Sequence, residues 1–163
     1  MPATVRPRIA LRLLGEEIAA RVEVPAERGR LDQLLPLLLE LDQAAIEVAV
    51  RKNPSGKAVS CAKGCSACCR AQPVPITPPE AYALSKLVEG LPEPRQSEVK
   101  QRFAERVIAL DQAGLRQIFL REAPLESATQ ARQAVEQYVQ LQLACPFLED
   151  DACSIHPQRP FVC

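Results

Sequence analysis

Seven cysteines are the residues of this chain whose type and spacing could do chemistry, and they fall into two clusters. Four lie in the segment CAKGCSACC at residues 61–69, and three lie between residues 145 and 163. Thiolate sulfur is a soft donor that binds zinc or the iron of an iron–sulfur centre. The cysteine pattern therefore predicts a metal site.

In the first cluster, Cys65 and Cys68 are separated by two residues, so both sulfurs can point at one ion from a single turn. Gly64 permits the positive φ that such a turn needs. Lys63 and Arg70 supply positive charge, which we expect to lower the thiol pKa and to offset the charge of bound thiolates, although both are also ordinary surface residues.

Cys68 and Cys69 are adjacent in sequence. Their side chains should diverge by roughly 100° in a helix or roughly 180° in a strand, which makes a shared ion difficult. We therefore expect one of them to bind a second ion, to bridge two ions or to be a buried structural thiol.

The second cluster is the segment CPFLEDDACSIHPQRPFVC at residues 145–163. Its acidic tip at residues 149–151 predicts a short hairpin between Cys145 and Cys153, and its prolines should stiffen the loop. Apolar side chains should dock this loop on the helices and exclude water, although core packing explains them equally well: Phe147, Leu148, Ile155, Phe161 and Val162.

His156, the single histidine, follows Cys153 by three residues, which is compatible with ligation. With it the chain has eight soft donors, enough for two tetrahedral sites, but a lone loop histidine is more often not a ligand. Arg159 could pair with an anionic metal centre or with Glu149.

The order of these motifs resembles the CxxCxxCC cysteine-cluster family, the YkgJ-type zinc- or iron-chelating proteins. The resemblance covers about residues 61–163 and lies in the double cysteine of CAKGCSACC and in three later motifs: Cys145-Pro146-Phe147-Leu148, Cys153-Ser154-Ile155 and Arg159-Pro160-x-x-Cys163.

This resemblance implies metal chelation by seven residues: Cys61, Cys65, Cys68, Cys69, Cys145, Cys153 and Cys163. A related domain occurs in flagellin lysine N-methylases, where it looks like an iron–sulfur site. Family members continue past the last motif, so we expect either that this chain is truncated at its C-terminus or that another protein completes the site.

The composition narrows the choice of partners. Twenty basic and twenty acidic residues cancel, and the chain has no tryptophan, two tyrosines and four phenylalanines, so we expect no nucleic-acid partner.

The sequence shows neither a secretory signal nor an apolar run long enough to span a membrane. We therefore expect a cytoplasmic protein whose thiols stay reduced, and the odd cysteine count also disfavours a disulfide framework.

The elements that must position the cysteines are mainly helical. Residues 9–24 suit a β-hairpin that turns at Gly15-Glu16, with a short helix as the competing interpretation. Apolar spacing predicts a helix from Leu31 that stops at residues 53–56, with Asp32 as its cap. Thr77-Pro78-Pro79-Glu80 has capping-box spacing for a second helix, and further helices should span residues 92–113 and 127–143.

The predicted fold class is mainly α: a small helical bundle that brings two cysteine-bearing loops together, with an N-terminal β-hairpin. Residues 1–30 form an N-terminal arm or hairpin in this interpretation. Residues 31–163 form the helical cysteine-cluster metal-binding domain.

The cofactor is predicted to be zinc or an iron–sulfur cluster, since softness alone does not separate them. The spacing Cys61-x3-Cys65-x2-Cys68 resembles the 4Fe-4S motif of radical S-adenosylmethionine enzymes, but the chain shows no repeated βαβ pattern. We favour a non-catalytic metal or cluster module with an unidentified protein partner. The alternatives are a redox or methyltransferase-linked iron–sulfur enzyme and a zinc-stapled interaction protein.

Overall fold

The computed structural model describes residues 3–53, 55–56, 64–120 and 127–163. The chain divides into two compact units, one of residues 1–61 with 77–83 and one of residues 62–76 with 84–163. The predicted boundary between residues 30 and 31 stays a prediction. The fold is mainly α with an N-terminal hairpin, as predicted.

The helices and strands follow one another in this order: β1 (Thr4–Val5), β2 (Arg8–Leu13), β3 (Glu16–Arg21), β4 (Val24–Pro25), α1 (Leu35–Arg51), α2 (Ala67–Ala71), α3 (Pro78–Glu89), α4 (Arg95–Gln112), α5 (Arg116–Phe119), α6 (Ala128–Gln140), β5 (Leu148–Glu149) and β6 (Ala152–Cys153). Short 3-10 turns at Leu31–Leu34 and His156–Gln158 precede α1 and follow β6.

The N-terminal hairpin pairs β2 with β3 in antiparallel register from Arg8 opposite Arg21 to Leu13 opposite Glu16. The turn is Leu14-Gly15, one residue earlier than predicted, and both residues have positive φ. Two-residue hairpin turns of this kind need positive φ at both positions, and glycine meets that need without steric cost. The hairpin is therefore confirmed and its turn is shifted.

The helix predicted from Leu31 begins as a 3-10 turn and becomes α1 at Leu35, with proline in its first turn. Arg30 rather than Asp32 precedes the 3-10 turn, and its backbone N–H donates to the side chain of Gln33. The cap prediction is therefore wrong. In the same unit Leu41 and Val48 of α1 are buried.

The start of α3 shows the predicted capping box. The carboxylate of Glu80 accepts hydrogen bonds from both the backbone N–H and the hydroxyl of Thr77, each at 2.7 Å. Two donors are satisfied at once, which explains why a carboxylate that is only 5% exposed is tolerated there.

The second unit has a core that joins α3 and α4 to the loop after α6. Val88, Val99, Phe147 and Ile155 form this core, and Cys145 and Cys153 pack against it with Leu84, Leu87 and Leu91. The predicted docking of the second cysteine cluster is therefore confirmed for Phe147 and Ile155. It is wrong for Val162, which is 61% exposed.

The predicted apolar stripe of α4 is only partly buried. Val99 is fully buried, but Phe103 and Val107 are about two-fifths exposed. Phe103 still packs edge to face on Phe147, with ring centroids 5.4 Å apart. No helix in the described ranges is long and apolar enough to cross a membrane.

Candidate metal centre

The first cysteine cluster surrounds the short helix α2. Gly64 has a φ of +91°, as its place before Cys65 predicts. Cys65 is exposed, whereas Cys68 and Cys69 lie on α2 and are half-buried. Cys61 and Lys63 lie outside the described residues.

The second cluster forms the predicted hairpin. Strands β5 and β6 pair Leu148 with Cys153, and the turn between them is Asp150-Asp151. Both aspartates have positive φ, which short polar side chains tolerate better than branched ones. The backbone N–H of Phe147 donates to the sulfur of Cys145, so one thiol already has a hydrogen-bond donor that would stabilise its thiolate.

Direct hydrogen bonds join the two clusters. The backbone N–H of Cys145 donates to the carbonyl oxygen of Cys69 at 2.6 Å. The guanidinium of Arg70 forms an ion pair with Asp151 at the hairpin tip and also donates to the hydroxyl of Ser66 at 3.0 Å. Helix α2 and the hairpin are therefore fixed to one another although Arg70 and Asp151 lie 81 positions apart in sequence.

Electrostatics show which thiols are close together. Burial raises the pKa of Cys69 to about 12, and Cys68, Cys145 and Cys153 add to the effect. Burial also raises the pKa of Cys163 to about 11, with further contributions from Cys145, Cys153 and Cys68. Residues from both clusters thus share one low-dielectric region in which several negative charges would repel.

The expected lowering of thiol pKa by nearby cations is wrong for Cys69. Arg70 is paired with Asp151, so its charge is largely compensated, and burial is the main influence on the pKa of the Cys69 thiol. For Cys145 too, burial raises the pKa more than Phe147 and Arg106 lower it. A bound cation would remove this penalty, since metal ligation stabilises the thiolate form.

One protein-family model matches residues 60–163, and its description is "Putative zinc- or iron-chelating domain". The chain belongs to the CxxCxxCC family. The resemblance deduced from the cysteine motifs is thereby confirmed, and the family description supports metal binding by this region. No curated protein and no solved structure is significantly similar to the chain.

Two properties of the thiols in this CxxCxxCC chain suit a metal site: sulfur is a soft donor, and one pair of sulfurs has a spacing close to that of metal ligands. The sulfurs of Cys68 and Cys69 lie 4.0 Å apart. Neighbouring sulfurs of a tetrahedral zinc site are about 3.8 Å apart, because Zn–S bonds are about 2.3 Å long. The sulfurs of these adjacent residues therefore lie close together, and the expectation that Cys68 and Cys69 do not share one ion stays a prediction.

Within the described ranges, no three histidine, cysteine or acidic side chains converge closely enough to hold a metal as they stand. Cys61 lies outside those ranges. A cysteine side chain has a single χ1 angle, so its sulfur can be reoriented by rotation about one bond.

His156 lies at the start of a 3-10 turn, is exposed, and has its Nε2 in contact with the guanidinium of Arg159. That contact occupies one of the two ring nitrogens. Glu149 is bound by other arginines, Arg95 at 3.3 Å and Arg102 at 3.2 Å, so the suggested pair between Arg159 and Glu149 is wrong.

Sequence reasoning missed the contribution of α4 to this region. Arg102 and Arg106 of α4 donate to backbone carbonyl oxygens of the loop that carries Cys145. Their spacing of four residues places both on one helix face, which is a signal that the sequence contains. Arginines on an exposed helix face are so common, however, that the pattern alone does not indicate a role.

Proposed function

We propose that the two cysteine clusters form one thiolate-rich centre that binds zinc or an iron–sulfur cluster. The observation that carries this proposal is the 2.6 Å hydrogen bond from Cys145 to Cys69, which holds the two clusters together at the backbone level. Bonds between backbone groups do not depend on metal. The proposed centre is therefore partly organised before metal arrives, which reduces the entropy lost on binding.

The proposed ligands are the seven cysteines: Cys61, Cys65, Cys68, Cys69, Cys145, Cys153 and Cys163. The inner members are the half-buried thiols of the low-dielectric region, namely Cys68, Cys69, Cys145 and Cys153; Cys163 lies near them but is exposed. Cys65 is exposed and would complete the set from the solvent side.

We place this function in the class of non-catalytic metal or cluster modules. The sequence contains no glycine-rich nucleotide loop, and its carboxylates near the site are bound by arginines. Zinc would supply a redox-silent cross-link between the clusters, and an iron–sulfur cluster would supply electron transfer. A reducing compartment such as the cytoplasm would keep the thiols available for either.

Anaerobic purification followed by analysis of zinc, iron and acid-labile sulfide tests this function. We expect bound metal in stoichiometric amount. A brown protein with sulfide would identify the iron–sulfur centre, and a colourless protein with zinc would identify the zinc centre. A protein that contains neither metal, and takes up neither zinc nor iron with sulfide after reduction, would contradict the proposal.

A further inference from the structure

Arg106 of α4 binds the loop that carries Cys145 on the N-terminal side of the cysteine. The Nε of Arg106 donates to the carbonyl oxygen of Ala144, the residue before the cysteine. A second nitrogen of the same guanidinium donates to the carbonyl oxygen of Arg102, at 2.7 Å. The planar guanidinium is thus fixed at two points, which defines where Ala144 lies.

Arg102 holds the same loop on the C-terminal side of the cysteine. Its Nη1 donates to the carbonyl oxygen of Pro146 at 3.1 Å and to a carboxylate oxygen of Glu149 at 3.2 Å. Both residues that flank Cys145 therefore accept a hydrogen bond from an α4 arginine. The side chains are only partly exposed, so these bonds are less weakened by water than surface bonds are.

These contacts fix the position of a half-buried thiol. The backbone of Cys145 is held by three groups: Arg106 before it, Arg102 after it, and Cys69, whose carbonyl oxygen accepts its N–H. The side chain of Cys145 also packs against the core of the second unit. Its sulfur can therefore move only by rotation about χ1.

The two arginines differ in charge balance. Arg102 lies near two carboxylates, Glu149 at 3.2 Å and Glu98 at 3.7 Å, which compensate its charge. Within the described part of the chain, Arg106 donates to two backbone carbonyl oxygens, which are neutral, and forms no ion pair. Arg106 thus retains an uncompensated positive charge beside Cys145, and it acts on that thiol in the direction that favours the thiolate.

We propose that Arg102 and Arg106 are positioning residues of the metal centre, an inference that rests on the proposed function. Together they hold both peptide groups beside Cys145 so that its sulfur stays with those of the first cluster. Arg106 adds a positive charge that offsets the negative charge of a centre built from thiolates. Groups that orient metal ligands in this way commonly change metal affinity about 10- to 100-fold when they are removed.

Zinc and cobalt titration of the reduced full chain tests this inference with the variants R102Q, R106Q and R106K. The control is R116Q, because Arg116 pairs with Asp111 at 3.1 Å near the end of α4 and, among the described residues, does not hydrogen-bond to the loop that carries Cys145. Cobalt reports ligand geometry through its visible absorption. Thermal unfolding of each metal-free variant reports stability separately.

We expect R106Q to bind zinc about 10- to 100-fold more weakly and to give an altered cobalt spectrum at saturation. R106K should recover part of the affinity because it keeps the positive charge. It should not recover all of it, because an ammonium group lacks the planar guanidinium that donates to both carbonyl oxygens. R102Q should also weaken zinc binding, because a hydrogen bond to the cysteine loop is lost, but it should change the charge beside Cys145 less than R106Q does. R116Q should match the parent protein.

Variants R102Q and R106Q that match the parent in zinc affinity and cobalt spectrum would overturn the inference. So would an affinity loss that follows thermal stability alone across all variants, with an unchanged cobalt spectrum, because that result indicates a purely structural role. If R106Q does not fold, the zinc affinity and cobalt spectrum of R102Q and R106K test the inference instead. Failure of the parent chain itself to bind zinc, cobalt or an iron–sulfur cluster would instead contradict the proposed function.

Discussion

Replacing Phe147 by alanine should detach the second cysteine cluster from the helices. Phe147 is only 4% exposed and lies in the core with Val88, Val99 and Ile155. Removing a buried phenylalanine costs about 3–5 kcal/mol, because apolar burial is lost and a cavity remains. Phe103 is the matched control: it is the ring partner of Phe147 at 5.4 Å but is 40% exposed. For F103A the edge-to-face contact and partial burial predict a loss of about 1–2 kcal/mol.

Urea unfolding followed by circular dichroism measures both losses, first without metal and then with zinc present. We expect F147A to lose more free energy of unfolding than F103A, by at least about 1 kcal/mol, and to bind zinc more weakly. The milder F147L keeps part of the volume and should lose about 1–2 kcal/mol, which provides a folded variant if F147A unfolds. Equal losses for F147A and F103A, or unchanged zinc affinity in F147L and F147A, would refute the docking role.

The remaining predictions concern protonation, ligands and a helix cap. Without metal, the contribution of Cys69 and Cys163 to stability should be constant below about pH 8.5 and should be lost as the pH rises towards the pKa values of the folded protein. Folding raises the pKa of Cys163 to about 11 and that of Cys69 to about 12, so the unfolded chain releases these protons first. Urea unfolding at pH 7 and pH 10 measures the fall, and a double serine variant at both positions that falls as steeply would exclude these thiols as its cause. C68S should lose more bound zinc than C65S, because Cys68 lies 4.0 Å from the Cys69 sulfur whereas Cys65 is exposed; equal metal contents would argue against an inner and an outer set. S127A should lower the free energy of unfolding by about 1 kcal/mol, because the Ser127 hydroxyl accepts the N–H of Gln130 at 3.2 Å at the start of α6, and a loss below about 0.3 kcal/mol would show that this cap is dispensable.

Local signals in the sequence predicted most of the elements. The capping box at Thr77 to Glu80, the cap at Ser127 and the hairpin tip at residues 149–151 all depend on neighbours within a few residues. Such interactions can be deduced from spacing, because the partners are fixed by the geometry of one turn. The family resemblance rested on similarly local cysteine motifs.

Contacts between distant segments were not accessible in the same way. Nothing in the spacing of Cys69 or Cys145 indicates that their backbones form a hydrogen bond, and the roles of Arg102 and Arg106 depend on how α4 packs. Side-chain rotation also mattered: the sulfurs of adjacent cysteines approach to 4.0 Å, although regular backbone geometry points their Cβ atoms apart.

Native mass spectrometry of serine variants in each cluster tests the central claim most directly, namely that both clusters bind the same metal centre. The variants are C68S, C153S and the double variant, each compared with the parent chain under reducing, oxygen-free conditions. If the centre is shared, either single variant loses the metal mass that the double variant loses. Retention of the full metal mass by the double variant, or loss of a separate, additive mass from each single variant, would contradict the claim.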